Sequence, residues 1–123
     1  MDGRTIGAIS AGGVLGALAR YALNVALQHE PGGFPWATWL INISGCFLIG
    51  ALVAWIARFR PQQRYLRPFL GTGFLGGYTT FSTAMTDVLG SPAVVALVYF
   101  ATTVIGALLA VWAGTALATR VPR

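Results

Sequence analysis

The sequence predicts an all-α membrane protein with four transmembrane helices, the third of them broken. Three observations carry this prediction. Of 123 residues, 56% are hydrophobic and only 9% are charged, against roughly 25% charged in a soluble domain. Four apolar stretches follow one another, each near the ~20 residues that cross a bilayer as a helix. The third is crowded with glycine and hydroxyl residues, which weaken a helix and compete for its backbone bonds. A soluble domain of this composition would leave large apolar patches outside, and the chain is too apolar to be disordered. Residues 1–123 form a single integral membrane domain.

The first stretch runs from about Thr5 to Leu27 and the second from about Trp36 to Ala57. The third spans about Pro68 to Leu89, and the fourth, after Pro92, about Ala93 to Leu117. Turns separate them: HEPGGFP (His29 to Pro35), the basic loop RFRPQQR (Arg58 to Arg64), and GSP (Gly90 to Pro92). The first stretch is long for a cleavable signal peptide and lacks a strong basic region before it, so it is expected to stay as a membrane helix. Gly12 and Gly16 on the first helix share a face, as do Gly106, Ala110 and Gly114 on the fourth. Small residues at this spacing let backbones approach closely in lipid. Four such slender helices leave little room for a pore within one chain, so transport would imply an oligomer.

The third stretch, GTGFLGGYTTFSTAMTD, holds Gly71, Gly73, Gly76 and Gly77, then Thr79, Thr80, Ser82, Thr83 and Thr86. Broken helix at membrane depth is tolerated only where protein or a polar cavity satisfies the freed backbone. Freed carbonyls beside such a break can hold a cation. Elsewhere, Asn42 lies one turn after Thr38, and Tyr99 and Thr103 are i, i+4 on a face shared with Ala107. Phe81 follows the threonine pair and offers an electropositive ring edge. Polar groups inside a membrane need a partner or a purpose. Amide, hydroxyl and ring-edge donors together suit a small, hard anion that is losing its water. No carboxylate lies mid-membrane to carry a proton or an organic cation.

Charge placement is the next constraint. The net charge of +5 comes from eight Arg against Asp2, Glu30 and Asp87. Few arginines flanking apolar segments are membrane anchors and topology signals, so nucleic acid is not the expected partner. With four crossings, Arg4, Arg58, Arg60, Arg64, Arg67, Arg120 and Arg123 share one side, and only Arg20 lies toward the other. The positive-inside rule then places both termini in the cytoplasm. The lone Cys46 sits in an apolar run as a small hydrophobe, and the lone His29 makes no metal site.

GGVLGALARY (Gly12 to Tyr21), NISGCFLIG (Asn42 to Gly50), GTGFLGGYTTFST (Gly71 to Thr83) and the Tyr99/Thr103 pair together resemble the CrcB/Fluc fluoride channel family over nearly the whole chain. The resemblance implies four-helix subunits in an antiparallel dimer of the cell (inner) membrane, with two narrow pores for passive fluoride export. It implies a structural sodium ion held by backbone carbonyls of both subunits where the third helix breaks, here those of Gly76 and Thr79. It also implies a pore-facing amide at Asn42, a ring lining at Phe81, and a polar track matching Thr38, Tyr99 and Thr103. Thr80 and Ser82, on either side of Phe81, are placed with these pore groups. Two departures stand out: Ala84, followed by Met85, occupies the position of the family's second aromatic, and Ala107 stands where some relatives have a hydroxyl.

An antiparallel assembly of so strongly oriented a chain needs an oppositely oriented relative as a second subunit, or else a homodimer with relaxed topology. Two other functions compete with a channel. A small four-helix proton-coupled exporter would need a carboxylate in the first helix, and Thr5 to Leu27 has none. A non-conducting partner that completes another subunit's pore is compatible with Ala84.

Overall fold

A computed structural model describes residues 2–28 and 33–120; His29, Glu30, most of the HEPGGFP turn and Arg123 lie outside the described residues. Described elements are helical throughout. Helix α1 spans Gly3–Ala26 and α2 spans Trp36–Phe59. A π-helical segment covers Arg67–Leu75 and runs into the short α3, Gly76–Tyr78. Helices α4 (Phe81–Leu89) and α5 (Ala93–Arg120) follow. Among the described residues, α1, α2 and α5 are long and apolar enough to cross a membrane.

Helix ends depart from the expected positions for local reasons. Helix α1 begins at Gly3 rather than Thr5, because the Asp2 carboxylate caps it and accepts from the Thr5 N–H at 2.8 Å. Helix α2 continues to Phe59, and α5 continues past Leu117 to Arg120. There the Arg58 guanidinium, at the end of α2, donates to the Ala118 carbonyl at 3.0 Å and ties the two C-terminal ends together.

Packing divides the molecule into two backbone-tight pairs. In the first, α1 lies on the π segment and α3. A Cβ at Gly12 would meet the Phe69 carbonyl oxygen and the Phe74 nitrogen, and one at Gly16 the Phe74 carbonyl. Gly77 is equally pressed against the Gly13 backbone. In the second pair α2 lies on α5: Gly50 faces the Val111 carbonyl, and Gly114 returns the contact against the Phe47 carbonyl. Without a hydrophobic force between helices in lipid, such close van der Waals approach is what holds them. Trp39 adds an indole N–H donation to Thr102 Oγ1 at 3.1 Å across the second pair. A small core of Ile41, Leu75 and Tyr78 lies between the pairs. Large apolar side chains such as Leu97, Leu108 and Trp112 point outward, as lipid as solvent permits.

One end of the bundle gathers the arginines. Arg64, in the loop after α2, pairs with Asp2 at 2.5 Å, which places the start of α1 beside that loop. The Arg58–Ala118 bond brings the end of α5 to the same place. Hydrogen bonds from the Thr5 side chain and backbone, with the Arg64 charge, hold the Asp2 carboxyl below its ordinary range against slight desolvation. A depressed native value means the cap contributes at neutral pH and is lost as the pH falls through that value. The Asp2 carboxyl resonance is therefore expected to titrate below that of the isolated N-terminal peptide, and Arg64→Gln to raise its midpoint. Equal midpoints in protein and peptide would remove the cap from this account.

Candidate functional site

The site begins where the third stretch leaves helical geometry. Thr79 (ψ 158°) and Thr80 (φ −152°, ψ 124°) are extended between α3 and α4. Ahead of them the π segment makes wide turns: the Gly76 N–H bonds the Gly71 carbonyl five residues back. Two side-chain acceptors then divert backbone donors. In an uninterrupted helix the Thr80 N–H would reach the Gly76 carbonyl, but it donates to Asn42 Oδ1 at 2.9 Å. The Thr83 N–H would reach the Thr79 carbonyl, but it donates to the capping Thr80 Oγ1 at 3.2 Å. The carbonyls of Gly76 and Thr79 thus lose the helical donors they would otherwise have. Leu75, by contrast, accepts from both the Thr79 N–H and the Thr79 hydroxyl, each at 3.0 Å.

Asn42 fastens the break. Besides accepting from the Thr80 N–H, it donates Nδ2 to the Thr80 carbonyl at 2.9 Å. A backbone donor and a backbone acceptor fix which way the amide faces, and one Nδ2 proton has no partner among the described residues. Beside it, Gly45 leaves room for the Thr79 methyl, and Ser44 shares a 2.9 Å hydrogen bond with the Tyr78 hydroxyl.

Two clefts open at this point. The larger, about 420 Å³, is lined among others by Asn42, Cys46, Gly76, Thr79, Thr80 and Thr103. The smaller, about 290 Å³, is bounded by Ala84, Met85 and Tyr99. Asn42, Phe81, Thr103 and Ala107 border both. Phe81, the first residue of α4, is 76% exposed and stands at their junction. Thr103 Oγ1 is buried and has no hydrogen-bond partner among the described residues. It is an unspent donor at the cleft wall, and burying such a group without a partner is costly.

The expected residues therefore divide into groups. Asn42, Thr80, Phe81, Thr103, Gly76 and Thr79 come together. Tyr99 is 1% exposed on the wall of the smaller cleft, with its hydroxyl donating to Asp87 Oδ2 at 3.4 Å. Thr38 is buried and lines a separate pocket with Asn24, Gln28, Thr83 and Asp87. Ser82 is exposed and borders none of these clefts; its carbonyl accepts from Thr86. In the sequence Asp87 stands out only as one of three acidic residues. In the structure it belongs to α4 and faces Tyr99, twelve residues on. Gly45 was missed as a site residue, although its place three residues after Asn42 puts both on one helical face.

Fold and site together define a small, multi-pass helical membrane protein with a donor-lined cleft beside the extended Thr79–Thr80 link. Residues 7–115 match the family described as CrcB-like protein, Camphor Resistance (CrcB). The chain belongs to this family. It is 46% identical over 119 residues to the fluoride-specific ion channel FluC 2 of Nocardia farcinica, covering 94% of this chain and 85% of that one. It is 46% identical over 115 residues to FluC 2 of Thermobifida fusca, covering 90% and 85%. To FluC 1 of Streptomyces coelicolor it is 42% identical over 120 residues, covering 94% and 78%. All three are named as ion channels, and this chain is likewise not an enzyme.

Proposed function

We propose that the chain is a subunit of a fluoride-selective channel through which cytoplasmic fluoride leaves passively, lowering its toxicity. The observation that carries this is the meeting of Phe81 with the partnerless Thr103 hydroxyl on one cleft, in a chain so similar to proteins named fluoride-specific. A fluoride ion shedding its hydration shell needs close-range donors in a narrow path. The Thr103 O–H, the second Asn42 amide proton and the Phe81 ring edge supply them without a fixed positive charge that would trap the ion. The interruption at Thr79 and Thr80 would sit near mid-bilayer. Met85 and the buried Ala84, where the resemblance would put a second ring, both line the smaller cleft.

The released carbonyls of Gly76 and Thr79 are hard oxygen donors that fit a sodium ion, which would supply a fixed charge at the centre of the assembly. One chain offers two such carbonyls, so the remaining ligands would come from an antiparallel second subunit. The arginine-rich end would face the cytoplasm, with both termini there. That one Streptomyces avermitilis strain has relatives named FluC 2 and FluC 3 fits a second, related chain as the partner; the opposite orientation of that partner follows from the arginine bias of this chain.

The test is fluoride efflux from loaded liposomes containing this chain alone, or this chain with its related subunit. Selective efflux in either preparation, with chloride retained, is the expected result. No efflux from either would reject the channel, and robust efflux from the lone chain would reject an obligate heterodimer.

A further inference from the structure

Two features at the arginine-rich end take no part in conduction as proposed. One is a cationic rim. Among the described residues, Arg4, Arg58, Arg60, Arg64, Arg67 and Arg120 gather there against the single carboxylate of Asp2, which Arg64 already holds. The other is an apolar groove of about 340 Å³ between α2 and α5, lined by Leu48, Ala51, Leu52, Trp55, Leu117 and Ala118. They are joined at one point. The Arg58 guanidinium donates to the Ala118 carbonyl at the groove's end and lies 5.2 Å from the Phe59 ring centroid. Arg60 and Arg120 are exposed beside it.

We propose that rim and groove form one binding site for an anionic phospholipid, with an acyl chain in the groove and the phosphate at Arg60 and Arg120. Depth supports a lipid. Leu48 lies eleven residues before the end of α2, roughly 16 Å at 1.5 Å per residue, where acyl chains lie and free anions do not. Charge supports an anionic one. Arginine presents a planar fork that matches phosphate oxygens, and a choline headgroup would bring its own cation into the same field. The groove supplies what exposed arginines alone lack, since each methylene it buries strengthens binding roughly fourfold.

Native mass spectrometry and thermal unfolding of the whole assembly in maltoside micelles test this, with phosphatidylglycerol, phosphatidylcholine or inorganic phosphate added. Phosphatidylglycerol is expected to stay bound and raise the unfolding midpoint, and the other two to do neither. Arg60→Gln with Arg120→Gln should weaken its retention about fivefold per arginine. Leu117→Trp, at an already exposed position, should fill the groove and weaken retention without disturbing the fold. Equal retention of phosphatidylcholine, equal stabilisation by phosphate, or unchanged retention in both variants would each overturn the site.

Discussion

Asn42→Asp is expected to cut fluoride flux roughly a hundred- to a thousandfold at neutral pH, and lowering the pH is expected to restore part of it. The residue is 9% exposed and holds both backbone groups of Thr80. An ionised carboxylate still accepts from the Thr80 N–H, but it cannot donate to the Thr80 carbonyl. In the proposed path it would also meet fluoride with a like charge, worth about 4 kcal/mol at 4 Å in a partly screened site. A protonated carboxyl recovers both Thr80 bonds and loses the charge, so recovery on acidification separates repulsion from misfolding. Asn42→Leu is the complementary case. It leaves the Thr80 N–H and C=O unmatched, each costing about 1–3 kcal/mol, and it should lower stability and flux at every pH. Liposome efflux between pH 5 and 8 reads both variants. Wild-type flux from Asn42→Asp at neutral pH would take Asn42 out of the pathway.

The second large effect is steric. Gly16→Ala is expected to destabilise the protein by about 3 kcal/mol or more, the upper end of what overpacking costs. The new methyl would meet the Phe74 carbonyl and the Tyr78 nitrogen, which are backbone atoms and cannot turn aside as a side chain would. Gly76→Ala is the control from the same chain. Its Cβ would enter open space and its φ of −63° is ordinary helix, so the protomer should keep its wild-type stability in detergent unfolding. Gly76→Val then probes assembly: loss of the two-chain mass with helicity intact is expected if a partner covers that face. Equal stability of Gly16→Ala and wild type would show that α1 is not seated on the π segment.

Apolar length made α1, α2 and α5 readable from the sequence, because a bilayer demands about 20 residues whatever their neighbours. Donor chemistry likewise pointed to Asn42, Phe81 and Thr103, since few polar side chains lie within apolar runs. The detail of the third stretch was not available in that way. Hydropathy does not distinguish a turn closed five residues back from one closed four back, so the wide turns before Gly76 carried no signal. The diversion of the Thr80 N–H depends on a residue 38 positions away, which no local pattern encodes. Thr38 illustrates the limit of helical spacing. It sits one turn from Asn42, yet that turn carries it into the neighbouring pocket with Asp87. Ser82 shows the same limit at one-residue range, facing away from the clefts that Phe81 borders.

The two backbone-tight pairs behave as stiff leaves, each closed by glycine against carbonyl. Near the break they are joined by polar rivets, the double bond between Asn42 and Thr80 and the Ser44–Tyr78 hydroxyl contact. Bending concentrates where a plate is thin, so the seam between the leaves should be the compliant part of the molecule. The larger cleft lies along this seam, with Asn42 and Thr103 on one leaf and Gly76 on the other, so its width depends on how the leaves are spaced rather than on the packing inside either pair.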